Sequence, residues 1–364
     1  MTIAYSGDSI TFPDNSVQNT APSGFGFKNR IINGAMVIDQ RNAGASVTPA
    51  DGAYTLDRWR AGLSQASKLS VQQNAGAVTP PSGFKNYLGV TSLSAYALTG
   101  SDVFMIQQKM EGYNVSDLML GTASAATFTV SFLVRSSLTG LFGACFINGA
   151  GDRSYPFSYT ISAANTWEQK SITLVGDTSG TWLTTNGTGL ELRFSMGGSG
   201  TYVGTVNTWG TGNYVTPTGC VSVVGTNAAT WQVTGVQLEK GSTATSFDYR
   251  PYGTELGLCQ RYCYTISLTA AGDFGVGACT SGGVQAFVPY PVTMRSAPTV
   301  TFATAGNFVI ADGTAGYTVT STGTTNITTN QTTANMGASG TTGGRAGMLR
   351  WNTGTAFILS SAEL

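Results

Sequence analysis

TFTVSFLVR, residues 127–135, decides the fold. Phe128, Val130, Phe132 and Val134 take every second position, and Thr129, Ser131, Leu133 and Arg135 fall mostly on the other side. Strict period-two alternation is the mark of a strand with one buried and one wetter face. LELRFSM (190–196) repeats it with Leu190, Leu192, Phe194 and Met196. In WQVTGVQL (231–238) the phase switches: Trp231 and Val233 precede Gly235, and Val236 and Leu238 follow it. One extra residue at that glycine, a β-bulge, accounts for the switch. Gly, Asn and Ser clusters separate such runs, with Asn33-Gly34, Asn148-Gly149 and Asn186-Gly187 placed for tight turns. From Asn29 to about Tyr249 the text therefore predicts an antiparallel β-sandwich.

Downstream the pattern changes. Thr254 is placed to cap a short helix, ELGLCQRYC (255–263), with Glu255 in the first turn and Leu256, Cys259, Gln260 and Cys263 at helical spacing. The preceding RPYG (250–253) reads as a domain joint. Thr265 to Leu364 is Thr/Gly/Ala-rich β text whose only charges are Asp273, Arg295, Asp312, Arg345, Arg350 and Glu363. VQAFVPYPVTM (284–294), PTVTF (298–302), NFVIA (307–311), YTVTS (317–321) and FILSS (357–361) are its strand candidates. So few charges predict that much of this unit is buried against copies of itself. Upstream, residues 1–28 hold too few apolar side chains for a core. ITF leads into turn-prone PDNS and a Gly/Ser/Pro-rich hinge ending near Gly26, so this piece stays disordered or docks onto another body. The expected division is an extended segment 1–28, a sandwich 29–250, and a helix with a β-rich tip over 251–364.

Composition narrows the function. In 364 residues, charged side chains make up 10%, against roughly 25% in ordinary soluble proteins. Thr, Ser, Asn and Gln replace them, a surface suited to sugars and to other proteins. Net charge is zero and the pI about 6.3, which leaves no basic footprint for nucleic acid. The absence of histidine removes the usual general base and the commonest transition-metal ligand. Five cysteines, Cys145, Cys220, Cys259, Cys263 and Cys279, form an odd set without repeating spacing, which disfavours a disulfide framework or a zinc site. No secretory signal is visible at the start, and no apolar run approaches the ~18 residues of a membrane span. Assembly in a cytoplasm, with no membrane insertion and no cofactor, is the expectation.

KNRIINGAMVIDQRNAG (28–44), YTLDRW (54–59), IQQKMEGYNVSDL (106–118), NTWEQKSITLVGDTSGTW (165–182) and GVQLEKGSTATSFDYRPYGTELGLCQRYC (235–263) together resemble the carbohydrate-binding-module-like domain of bacteriophage and prophage tail fibres. ITFPDNSVQNTA is similar to the short peptide by which such fibres attach to the tail or baseplate. These motifs cover about two thirds of the chain. The resemblance implies a jelly-roll sandwich in a homotrimeric fibre on the virion, anchored through residues 1–28. A variable tip would then meet a host surface glycan or other receptor. Similar fibres often read CQRYY where this chain has Cys259-Gln260-Arg261-Tyr262-Cys263. Residues 264–364 resemble nothing nameable, so the receptor is not carried over.

Single motifs weigh less. Gly7-Asp8-Ser9-Ile10 imitates an esterase nucleophile block, but that serine needs a histidine. GGSGTYVG (197–204) and TGGRAG (342–347) lack the strand–helix setting and the GK[ST] ending of a phosphate loop. Cys259 and Cys263, four apart on the expected helix, read as buried thiols rather than half a metal site. Glu111, Asp117, Asp152, Glu168, Asp177 and Glu191 are scattered, and a glycosidase needs two facing carboxylates. Aromatics are the better lead, because sugar rings stack on them while amides and hydroxyls bind the sugar hydroxyls. Tyr202, Trp209 and Tyr214, with Asn207 and Asn213, lie in the glycine-rich stretch 201–214. Tyr290, Phe308, Tyr317 and Trp351 are the tip candidates. Each of these rings has packing as its alternative role, and Trp59, Trp167 and Trp231 are expected in the core. A fibre running outward from an N-terminal anchor would put 264–364 farthest out.

Overall fold

The computed structural model describes residues 27–364, preceded by three short antiparallel strands, Ala4–Ser6, Ser9–Thr11 and Val17–Gln18. The rest of the expected attachment segment, with Gly7 and Asp8 of the esterase-like block, lies outside the described residues.

Two antiparallel sheets form the sandwich. One runs in the order Ser154–Ile161, Gly140–Ile147, Thr188–Gly198, Val103–Glu111, Trp59–Leu63, Tyr54–Leu56. The other runs Glu168–Leu174, Phe128–Ser136, Thr230–Lys240, Leu88–Ser92, Leu69–Gln73. The chain crosses from one sheet to the other repeatedly, which makes a jelly roll. The alternation seen in sequence sets what lies between the sheets: Phe128, Val130, Phe132 and Val134 face Phe142, Phe146, Phe157, Phe194 and Met196 across the core. Rings meet edge to face, Phe132 at 5.0 Å from Tyr159 and 5.1 Å from Phe194. Trp231 is wholly buried, and its Nε1 donates to the Tyr159 hydroxyl at 3.0 Å. Each such ring contributes about 1.5–3 kcal/mol by leaving water. Gly235 has φ +62°, and the register against Phe128–Ser136 slips between Thr234 and Gln237. The expected bulge is there.

Four expectations need correction. The wetter face of Phe128–Ser136 is wet only in its second half, at the half-buried Leu133 and Arg135: Thr129 is buried, and its hydroxyl donates to the Gly241 carbonyl at 2.8 Å. Trp167 is half-buried rather than core, because it precedes the edge strand Glu168–Leu174; its Nε1 donates to Thr79 O at 2.9 Å. The helix spans Tyr252–Gln260. It begins before Thr254 because the Pro251 carbonyl accepts the Thr254 and Glu255 amides, so Thr254 does not cap it. Cys263 has left the helix and opens the strand Cys263–Leu268, so Cys259 and Cys263 do not share a helical face.

The tip has a three-stranded sheet, Cys263–Leu268, Ala356–Ser361, Thr299–Phe302. Its second sheet has seven strands: Gly316–Thr318, Phe308–Ala311, Ala346–Trp351, Asp273–Thr280, Gly283–Pro289, Gln331–Gly337 and Ser321–Thr325. Phe274, Val284, Val288, Phe308, Ile310, Met336, Leu349 and Ile358 fill it. On the outer face Val276 is paired across strands with Phe287 and Met348, and all three are exposed.

Charged residues gather where sandwich and tip meet. Arg261 pairs with Glu111 at 2.6 Å, and the Tyr262 hydroxyl donates to the same carboxylate at 2.7 Å. Burial pushes Glu111 upward, but these bonds outweigh it and hold the carboxyl below its usual value. The Arg58 guanidinium, wholly buried, lies 3.5 Å over the Tyr262 ring and pairs with Glu363. Arg41 reaches Glu363 at 3.2 Å, and Tyr54 donates to the Leu364 carbonyl at 2.8 Å. Residues 362–364 thus turn back onto the sandwich, because the strand Ala356–Ser361 runs towards it.

Candidate functional site

The stretch 199–218 leaves the strand Thr188–Gly198 and folds over the outer face of the six-stranded sheet. Thr216 sits against Gly143, where any Cβ would collide with it. Ser154 and Gly210 bridge the loop to the edge strand, and Val203–Gly204 pairs with Thr216–Pro217. The structure therefore brings Tyr202, Asn207, Trp209, Asn213 and Tyr214 into one body.

Their roles differ. The half-buried Trp209 packs 5.1 Å from Tyr155 and 5.5 Å from Trp182, and its Nε1 donates to Val175 O at 2.8 Å. It anchors the loop. Tyr214 is clasped by Gly204, Gly210 and Gly212; a Cβ on any of them would stand 3.0 Å or less from its ring. That close approach explains why the stretch is glycine-rich. The Tyr202 carbonyl accepts from the Val215 amide at 2.8 Å, and the Asn207 amide donates to Pro156 O at 2.8 Å. Asn207 and Asn213 are exposed. Leu141, Ser158, Val203–Val206, Tyr214, Pro217 and Thr218 line a groove of about 520 Å³, with no charged side chain in its lining. Hydroxyls beside a tyrosine ring and aliphatic carbons match the two surfaces of a sugar.

Among the tip candidates, Phe308 is wholly buried, 5.1 Å from Phe274, and Tyr290 is buried beside Tyr264. Neither offers a face to a ligand, which corrects that reading. Tyr317 and Trp351 are half-buried against the tip core, with Trp351 Nε1 donating to Gly354 O at 2.8 Å. A concavity of the tip, about 350 Å³, has Gln285, Ser321, Thr322, Asn335, Met336 and several glycines in its lining, together with Thr280 and Val284.

Beneath the loop lies a set that sequence reading missed. Cross-strand pairing aligns Tyr54, Arg60, Gln107, Arg193 and Cys145 in one row of the outer face, and Lys109 beside Glu191 in the next. Arg193 joins this face to the loop: Nε donates to Glu191 at 2.6 Å, and Nη1 to Asn213 Oδ1 at 2.5 Å and Tyr214 O at 3.2 Å. Burial pushes the Cys145 thiol up to about 12. The outward phase of LELRFSM and IQQKMEG was the available signal. Glu111, Asp117, Glu168, Asp177 and Glu191 each pair with an Arg or Lys, and Asp152 accepts from Asn148 Nδ2 at 2.7 Å. Among the described residues no group of three Cys, Asp or Glu is placed to hold a metal. No helix among them is long and apolar enough to cross a membrane.

The class these elements define is an all-β protein: a jelly-roll sandwich, a short helix and a β-rich tip. No protein-family model matches the sequence, and neither does any curated protein. Among solved structures the chain is similar to a putative sugar-binding protein from Bacteroides thetaiotaomicron, 10% identical, over 59% of this chain and 100% of that one, with TM-score 0.35. It is similar also to the carbohydrate-binding module TmCBM61 in complex with β-1,4-galactotriose: 11% identical, 59% and 99% covered, TM-score 0.30. A third likeness is the enzymatically active domain of tailspike protein 4 of bacteriophage CBA120, 11% identical, TM-score 0.33. That match covers 58% of this chain and spans only 21% of the tailspike chain.

Proposed function

We propose that this chain is a non-enzymatic adhesin of a bacteriophage tail fibre, part of the virion, that attaches to host-surface glycan. The observation that carries the reading is the uncharged groove at Tyr214 beneath loop 199–218, on a sandwich whose sequence motifs resemble tail-fibre domains. Residues 1–28 attach the fibre to tail or baseplate. Three copies would act together, so that weak sites gain through effective concentration. The exposed Val276, Phe287 and Met348 row supports burial of the tip against another copy. Against hydrolysis stand the missing histidine and the pairing of the scattered carboxylates with cations.

The test is binding of the purified protein to isolated host-surface polysaccharide, with Thr218→Trp to fill the groove. Thr218 is exposed, so the fold should survive. Binding that disappears in this variant supports the proposal. Equal binding by both proteins refutes the groove, and cleavage of the polysaccharide refutes the non-enzymatic reading. A purely structural fibre component is the second reading, favoured by the charged network that joins sandwich to tip; a protein that binds no host surface would support it.

A further inference from the structure

The outer face of the six-stranded sheet carries an imbalance of charge unusual for this chain. Only 10% of its residues are charged, and cations and anions are equal in number. Yet Arg60, Lys109 and Arg193 share this face with only two carboxylates, Glu191 and Glu111, and Glu111 is taken up by Arg261. Lys109 stands directly opposite Glu191, and Gln107 stands between Arg60 and Arg193 across the strands.

Glu191 is already committed too. Glu191 accepts from Arg193 Nε at 2.6 Å and from the Gln107 amide. Gln107 in turn accepts from Arg60 Nη1 at 2.7 Å, and Arg60 Nε donates to Gly52 O at 2.9 Å. Arg60 therefore lies on the sheet held by neutral acceptors, with no carboxylate of its own among the described residues. Lys109 is half-buried, and its ammonium has no hydrogen-bond or ion-pair partner among them. Burial holds its pKa below the usual lysine value; Glu191 works against this, and Arg60, Arg193 and Arg58 add to it. Half-buried cations without an anion are costly, and an external carboxylate would relieve the cost. An arginine fork matches a carboxylate's two oxygens, and a lysine supplies a point charge.

The surroundings fit a saccharide. Asn213, hydrogen-bonded to Arg193, is exposed beside the cations. Tyr214 links the two features: its carbonyl meets Arg193, and its ring walls the uncharged groove. A chain of sugars could place an acidic unit on the sheet and neutral units in the groove.

We propose that this face is the binding subsite for a carboxylate-bearing sugar, a uronic or nonulosonic acid unit, received by Lys109 and Arg60. The inference rests on the glycan-binding reading above. Its test is an array of galacturonate, glucuronate and sialate oligosaccharides, each beside its methyl ester, probed with the wild-type protein and with Lys109→Gln, Arg60→Gln and Lys109→Arg. The expected result is that at least one acid is bound and its ester is not. Loss of one charge-assisted bond should weaken that binding about tenfold or more in the two Gln variants. Lys109→Arg should retain it, which separates a lost charge from a damaged fold, and unchanged melting curves give a second check. Affinity should also fall as salt is raised. Acid and ester bound alike, with no effect of Lys109→Gln, would overturn the acidic subsite and leave the glycan reading standing. No acid bound by a protein that does bind neutral saccharides would do the same. Binding of inorganic phosphate without any saccharide would identify a phosphate site and overturn both.

Discussion

Replacing Glu363 by Gln should loosen the whole joint between sandwich and tip. Its carboxylate is almost wholly buried and serves two cations, Arg58 with 1% side-chain exposure and Arg41 with 12%. The variant keeps the shape and one acceptor but takes the shared carboxylate from two buried guanidinium groups, leaving Arg41 only the nearby Asp57. Breaking a buried ion pair from one side costs about 3–5 kcal/mol. Arg58 keeps its place over the Tyr262 ring and its bond to the Lys109 carbonyl, so the low end, about 3 kcal/mol, is expected. With a urea slope of about 1–3 kcal/mol/M, the unfolding midpoint should fall by roughly 1–3 M. Tryptophan fluorescence can locate the effect, since Trp351 alone reports on the tip and the other five lie in the sandwich. Repeating the experiment in a Trp351→Phe background separates the two units. A midpoint lowered by less than about 0.3 M would refute the claim that Glu363 holds the joint.

Asp57 should make stability depend on pH. Burial raises its carboxyl from 3.8 to about 6, despite bonds from Gln40 and the nearby Arg41. A raised acid favours the folded state when protonated, so its contribution is full below about pH 4 and lost as pH rises through 6. Urea titrations should show wild type losing about 1–3 kcal/mol over that range and Asp57→Asn losing none of it; parallel curves would sink the assignment. Gly235→Val should cost about 2–4 kcal/mol, because φ is +62° and the new Cβ would stand 2.7 Å from the Phe84 ring; an unchanged melting temperature would count against a strict bulge. Iodoacetamide on the native protein should label Cys220 first, since it alone of the five cysteines is half-exposed and the other four are buried. Thiolate is the reactive form, and burial pushes Cys145 and Cys263 up to about 12. Intact mass showing two or more early adducts would contradict the burial pattern.

How far the sequence could be read followed from local physics. Period-two runs located Phe128–Ser136, Thr188–Gly198 and Thr230–Lys240, and the phase switch located the bulge at Gly235, because each signal lies within one strand. Tip strands with clear apolar runs, such as Phe308–Ala311 and Ala356–Ser361, were legible. Asp273–Thr280, Ser321–Thr325 and Gln331–Gly337 were not, since Gly, Thr and Ala give weak alternation and their pairing comes from neighbours far along the chain. Trp167 and the buried tip rings show the limit of composition: an aromatic residue announces burial or binding equally. The cationic ladder was hidden for a related reason. Arg60, Lys109 and Arg193 sit on three strands, and only the pairing register gathers them around Gln107.

The pairing of Cys263–Leu268 with Ala356–Ser361 means that the chain enters and leaves the tip through adjacent antiparallel strands, Cys263 opposite Ser361. Everything between them is, topologically, a cassette hung from one doorway. Homologous exchange with crossovers in those two strands could replace the cassette while sparing the sandwich, the helix and the Glu363 lock. Such an architecture lets one unit of the chain diversify under selection while the rest stays fixed, and it gives the engineer the same two splice points.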